Sequence, residues 1–225
     1  MSPGTSSVRL AVFDCDGTLV DSQANILLAM VDAFEAAGLA PPDAHTTRRI
    51  VGLSLIEAME VLVPAASPAL HARLTAAYKQ AFWDRRRDKR LDPEPLYPGI
   101  AEGLATLGEA GWLLGVATGK SDRGLALILE HHGLAHHFVT LQTADRHPSK
   151  PHPAMLYAAL AEAGCALEDA VMIGDTVFDI AMARNAGVRA IGVDWGYHDP
   201  QELHDAGAAA VVSTMDELLL QLEAR

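Results

Sequence analysis

From residue 99 to the end of the chain, short apolar runs and amphipathic stretches take turns, and the links between them are only a few residues long. Such alternation feeds successive strands through crossover helices, which restricts the chain to an α/β fold built on a parallel sheet. The pattern predicts helices over 100–110, 121–132, 153–163, 178–186 and 215–223, and strands over 112–118, 138–142, 171–173, 188–193 and 209–212. A further strand stands apart at 8–13 (VRLAVF), apolar and β-branched as a buried parallel strand is. Between it and residue 91 the alternation fails. Residues 22–37 read as a helix closed by Gly38, Pro41-Pro42 breaks the chain, and 46–90 stays helical with interruptions near Pro64 and Pro68. The segment 91–98 (LDPEPLYP) reads as a linker. The simplest reading is a doubly wound, Rossmann-like α/β core over 1–20 and 91–225, interrupted by a helical insert over 21–90.

Composition narrows the function. Of 225 residues, half are hydrophobic and a fifth charged, enough to bury a core and to exclude wholesale disorder. A net charge of −12 repels nucleic-acid phosphates, so nucleic acid is not an expected partner. Two cysteines, Cys15 and Cys165, are too few for a disulfide framework and read as thiols in a reducing compartment. Met1–Ser7 lacks a basic flank followed by an apolar signal core, and no apolar run approaches the roughly 20 residues of a membrane helix. The expectation is a cytoplasmic protein with no membrane partner, monomeric or homodimeric.

In open α/β sheets, ligands bind beyond the carboxyl ends of the strands. Four strand ends carry unusual polar residues: Asp14-Cys15-Asp16-Gly17-Thr18 after the first, Thr118-Gly119-Lys120 after 112–117, Ser149-Lys150-Pro151 before the helix at 153, and Gly174-Asp175 after 171–173, with Asp179 four residues on. Strand alternation turns Asp14 and Asp16 toward one site and Cys15 away from it, so Cys15 is given no catalytic role. Two carboxylates about 4 Å apart repel by roughly 4 kcal/mol at an effective dielectric near 20. Asp175 and Asp179 add to that. Such a cluster calls for a cation or for raised pKa values. Mg²⁺, which shares carboxylates with substrate phosphate, fits the all-oxygen set, and Lys150 adds positive charge. The Thr118 hydroxyl and the backbone N–H groups of Gly119 and Lys120 are candidates for holding phosphate oxygens. Taken one at a time, each has a plainer reading: a solvated turn for the DxD, a helix cap for Thr118, a surface lysine for Lys150.

These residues resemble the haloacid dehalogenase superfamily. DCDGT is similar to its first motif, Thr118 in VATGK to the second, Lys150 in SKPHP to the third and GDTVFD at 174–179 to the fourth, in the family's order, across about residues 8–213. The insert after the first motif resembles the family's helical cap, and YPGI at 97–100 resembles the return to the core in its phosphoglycolate phosphatase-like branch. The resemblance implies a Mg²⁺-dependent phosphatase acting on a small phosphorylated metabolite, with 2-phosphoglycolate the leading specific substrate. It implies that Asp14 is the nucleophile, that Asp16 is the general acid and base, and that Thr118, Gly119 and Lys120 hold the phosphoryl group. Lys150 would neutralise developing charge. Asp14, the Asp16 carbonyl and Asp175 would hold the metal, with Asp179 orienting Lys150 or a water of the metal. Asp16 disfavours dehalogenation, because dehalogenases of this family lack that acid. A phosphomutase similar to β-phosphoglucomutase shares all four motifs and stays open, as does a non-catalytic phosphate-binding protein on the same scaffold.

In the insert, Arg48, Arg49 and Val51-Gly52-Leu53 resemble a substrate-facing cap segment, and Arg49 is the candidate cation for a substrate carboxylate or second phosphate. A solvated helix face explains the same arginines. The basic run 85–90, interleaved with Asp84, Asp88 and Asp92, reads as a salt-bridged exposed face. His131, His132, His136 and His137 read as the polar end of a helix and its loop, and Met30, Met59, Met172 and Met182 as core filler.

Overall fold

The computed structural model describes residues 8–223; the sequence reading of Met1–Ser7 lies outside them. Six parallel strands, β1 (Arg9–Phe13), β2 (Trp112–Thr118), β3 (Phe138–Thr143), β4 (Ala170–Gly174), β5 (Arg189–Val193) and β6 (Ala210–Val212), form one sheet in the order β3-β2-β1-β4-β5-β6. This is a doubly wound, Rossmann-like order.

The alternation along β1 shows how both faces are filled. Ala11 and Phe13 pack on one face with Leu104 of α5 (Ile100–Glu109), Leu125 of α6 (Asp122–His131) and Leu218 of α10 (Met215–Glu223). Leu10 and Val12 pack on the other with Leu156 of α7 (Ala154–Ala163), Ile180 of α8 (Val177–Ala186) and Leu203 of α9 (Pro200–Ala206). A strand covered on both sides has no polar face, which is why β1 is apolar from Leu10 to Phe13.

The residues between β1 and β2 form α1 (Gln23–Ala36), α2 (Ala44–Arg48), α3 (Leu55–Leu62) and α4 (Pro68–Arg87). Three of these helices, α1, α3 and α4, gather with the loop residue Ile50 around an apolar cluster of Met30, Phe34, Ile50, Ala58, Met59 and Leu74. The helical run divides near Pro64 and Pro68 as expected, α3 ending at Leu62 and Pro68 starting α4. Pro68 occupies the first turn, where a missing N–H costs nothing, and the Ser67 hydroxyl accepts from Leu70 N at 3.3 Å. The proline-rich segment 91–98 is fastened rather than loose. Buried Asn25 donates to the Asp92 carbonyl at 2.9 Å and accepts from Asp92 N at 2.8 Å, and Tyr97 N donates to the Leu19 carbonyl at 3.1 Å. Helix α9 has no counterpart in the sequence-based expectation. The four methionines singled out as filler are all buried in these clusters. No helix among the described residues is long and apolar enough to cross a membrane.

Candidate active site

The chain leaves β1 toward β2 on one side of the sheet and leaves β4 toward β5 on the other. A crevice therefore opens between the carboxyl ends of β1 and β4, where ligands bind in folds of this order. Asp14 follows β1 directly, and its N–H extends the pairing by donating to the Ile173 carbonyl at 2.9 Å. The chain then turns tightly, with the Leu19 and Val20 N–H groups both donating to the Cys15 carbonyl. Gly17 sits in this turn at φ +82°, and a side chain there would come within 2.2 Å of an Asp175 carboxylate oxygen. Only glycine lets the first turn approach the end of β4 this closely.

Two lysines, Lys150 fully buried and Lys120 partly so, organise four buried carboxylates. The fully buried Lys150 ammonium lies 2.6 Å from Asp179 Oδ1 and 2.9 Å from Asp14 Oδ2. Asp14 Oδ1 accepts from Cys15 N at 2.6 Å, whereas Oδ2 is within ion-pair distance of Lys150 but receives no aligned hydrogen bond. Asp179 Oδ2 accepts from the Thr176 hydroxyl at 2.7 Å, which also fixes the start of α8. Asp175 accepts from the Thr18 hydroxyl at 2.7 Å and from Tyr197 N at 3.0 Å. Asp16 faces the other lysine: its Oδ1 accepts from Lys120 Nζ at 2.7 Å and from the Ser22 hydroxyl.

Four carboxylates against two ammonium groups leave two buried negative charges uncompensated. The titration behaviour reflects that excess. Burial pushes the Asp14 carboxyl up to about 7 against the pull of Lys150, with Asp179 and Asp16 adding to the rise. Burial, together with Asp179 and Asp14, pushes Asp175 well above the carboxylate range. Burial opposes the charged form of Lys150, but Asp14 and Asp179 outweigh it and raise its pKa. Carboxylate oxygens of Asp14, Asp175 and Asp179 lie within 4.8 Å of one another. The residues fit a hard divalent cation: its donors are all oxygen, its charge matches the excess, and Asp14 Oδ2 has coordination to spare.

Asp14, Asp16, Thr118, Gly119 and Lys120 also line a cavity of about 260 Å³ between the strand ends and the helices of the insert. Buried Thr118 accepts from Lys120 N at 3.3 Å. Gly119 has a second reason to be glycine, since a side chain there would meet the Leu53 carbonyl at 2.4 Å. The helical insert closes on the core at that point, and Ser149, next to Lys150, accepts from Ser54 N at 2.7 Å.

Arg49 departs from expectation. It is not among the cavity-lining residues and pairs instead with Glu202 of α9, so its charge is matched away from the site. The basic run holds as read for Arg87, which pairs with Asp84 and Asp88, and for Arg90, which pairs with Asp88, whereas Arg85 is mostly buried and pairs across to Asp32 of α1. It does not hold for Arg86, which lines the cavity with Thr75, Tyr78, Lys79, Phe82 and Trp83 of the same helix. Their spacing of three and four residues is a helical stripe, and that periodicity was the available signal. Glu94, hidden among prolines, lines the cavity too. Ser22, which reads from sequence only as a helix start, is the hydroxyl on Asp16. Cys15 points into the core as alternation requires.

Residues 11–193 match the family described as haloacid dehalogenase-like hydrolase. The chain is 36% identical over 214 residues to a Dickeya dadantii protein described as "Probable phosphatase IndB", covering 93% of this chain and 91% of that one. It is 31% identical over 221 residues to a phosphoglycolate phosphatase of Mesorhizobium japonicum, covering 96% and 95%. The crystal structure of a "predicted phosphatase from Clostridium acetobutylicum" superposes with a TM-score of 0.87 at 26% identity, covering 98% of this chain and all of the other.

Proposed function

Because this chain belongs to the haloacid dehalogenase-like hydrolase family, we propose that it is a Mg²⁺-dependent phosphatase that hydrolyses a small phosphomonoester through an aspartyl-phosphate on Asp14. The observation that carries this reading is the pair Asp14 and Asp16, two residues apart on one cavity yet held by different lysines. Two carboxylates in different surroundings take different roles.

Asp14 attacks phosphorus with a carboxylate oxygen, and the bond to the leaving oxygen breaks. Asp16 delivers the proton that this oxygen needs. Lys120 and Ser22 hold the Asp16 carboxyl in place for that transfer. Asp16, left as the base, then takes a proton from the water that cleaves the acyl phosphate. Thr118 and the backbone N–H groups of Gly119 and Lys120 bind phosphoryl oxygens, and Lys150 offsets negative charge beside Asp14. The Asp14 carboxylate, the Asp16 carbonyl and the Asp175 carboxylate would hold Mg²⁺, which supplies positive charge against the phosphoryl oxygens. Asp179 keeps Lys150 in position. In this reading residues 21–90 are a cap over a core of 1–20 and 91–225, and cap closure excludes bulk water from the acyl phosphate.

The reading is tested by phosphate release with Mg²⁺ over a substrate panel that includes 2-phosphoglycolate, the substrate in the name of the Mesorhizobium relative. Release by the parent, lost in Asp14→Asn and in EDTA, supports it. Undiminished release in either control refutes the corresponding assignment.

A further inference from the structure

Beyond the phosphoryl end, the cavity is walled by rings. Tyr78 and Phe82 stack one turn apart on α4 with centroids 6.4 Å apart, and Trp83 lies beside them. The Arg123 guanidinium of α6 lies over Trp83, 3.5 Å from its ring centroid. Met30 of α1 and Ile128 of α6 complete an apolar lining.

Charge inside this space is matched in part. Lys120 is paired with Asp16, Lys79 is exposed, and Arg86 is half-buried with no ion pair among the described residues. Arg49, the cation expected to receive a substrate carboxylate, is paired with Glu202. Among the described cavity residues, the cations left to meet a second anionic group on the substrate are half-buried Arg86 and exposed Lys79, neither of them fully buried.

Size sets the other bound. At about 260 Å³ the cavity exceeds the roughly 150 Å³ that accepts benzene. It falls below the roughly 300 Å³ at which pockets for drug-sized ligands begin. That is room for a phosphoryl group and one ring.

We infer that the substrate is the phosphate ester of an alcohol carrying a single planar ring, which the Tyr78–Phe82–Trp83 wall receives while the ester oxygen faces Asp16. This rests on the phosphatase reading above and narrows its substrate class. Flat rings favour offset stacking or edge contact with such a wall, whereas a two-carbon acid leaves it unfilled.

The test compares kcat/KM for benzyl phosphate, ethyl phosphate and 2-phosphoglycolate with Mg²⁺, in the parent and in Phe82→Ala, with Asp14→Asn as blank. Benzyl phosphate is an alkyl ester like ethyl phosphate, so a better leaving group does not explain a preference. The expected result is a kcat/KM for benzyl phosphate at least tenfold above both others, with this ratio falling at least tenfold in Phe82→Ala. Release that is absent from the blank but equal across the panel, or greatest for 2-phosphoglycolate, overturns the ring inference and leaves the phosphatase reading standing. If Phe82→Ala does not fold, the parent's ranking decides alone. If nothing is released from any ester, the phosphatase reading fails. Calorimetric binding of benzylphosphonate against methylphosphonate then decides the ring: tenfold tighter binding of the former upholds it, and equal binding overturns it.

Discussion

Replacing Asp14 by Asn should stabilise the metal-free protein while removing its activity, because Asp14 is held ionised at the expense of the fold. Its carboxyl, ordinarily near 3.8, is raised by burial to about 7. At about 1.4 kcal/mol per pH unit, the ionised form costs the folded state about 4 kcal/mol relative to the unfolded chain. The unfolded chain loses this proton near pH 4 and the folded chain near pH 7. Between those values the folded state holds more protons, so stability falls as pH rises through that window and stays low above it. Asn carries no charge at any pH and leaves Lys150 paired with Asp179. In EDTA at pH 8, Asp14→Asn should therefore melt above the parent by up to about 4 kcal/mol, on the order of 10 °C for a chain of this size. The gap should close toward pH 4. Added Mg²⁺ should raise the parent's melting temperature far more than the variant's, since a ligand bound only by the native state stabilises by mass action. Calorimetric scans from pH 4 to 8, with and without Mg²⁺, measure all of this. A variant that melts at or below the parent at pH 8 in EDTA, or a gap independent of pH, refutes the charge argument.

Three further outcomes follow from the same geometry. Gly119→Ala places a methyl 2.4 Å from the Leu53 carbonyl and so holds the insert away from the core; kcat/KM should fall at least tenfold with the melting temperature little changed, and steady-state kinetics beside a melt checks both. Lys120→Met removes the ammonium on Asp16, so kcat should drop by about two orders of magnitude, the scale of a mispositioned general acid, in single-turnover assays. Arg85→Ala breaks the two-pronged pair with Asp32, at 2.5 and 2.8 Å, and should cost about 1 kcal/mol, as partly exposed pairs do. Arg85 lowers the Asp32 pKa through these hydrogen bonds. The loss should therefore be full at neutral pH and fade as acid protonates Asp32 below the ordinary carboxylate range, which urea titration at pH 7 and pH 3 resolves.

The core was legible because buried parallel strands and amphipathic helices leave different periodicities. β2 runs over the expected residues 112–118, and the other strands and the core helices begin and end within a residue or two of expectation. Helix α9 was missed because seven residues hold too little periodicity to register against the surrounding polar turn. The chemistry was legible where it hangs on strand ends: Asp14, Asp16, Thr118, Lys150, Asp175 and Asp179 converge because the sheet order brings those ends together. The insert was not. Its apolar faces say that the helices pack but not against what, so Arg49 read as a substrate ligand although its partner, Glu202, lies 153 residues away. Arg86 was lost inside a charge run that composition treats as uniform, whereas one turn of helix separates a cavity wall from solvent. The Pro-rich segment read only as a linker because a hydrogen bond from Asn25, 67 residues distant, leaves no local trace.

The central claim is that Asp14 carries the phosphoryl group. Acid-quenched reactions with a substrate found active, followed by peptide mass spectrometry, test it most directly. With Mg²⁺ the account predicts a phosphoryl adduct confined to Asp14, absent in EDTA and in Asp14→Asn. Turnover with no adduct, or an adduct on another residue that persists in Asp14→Asn, would contradict it.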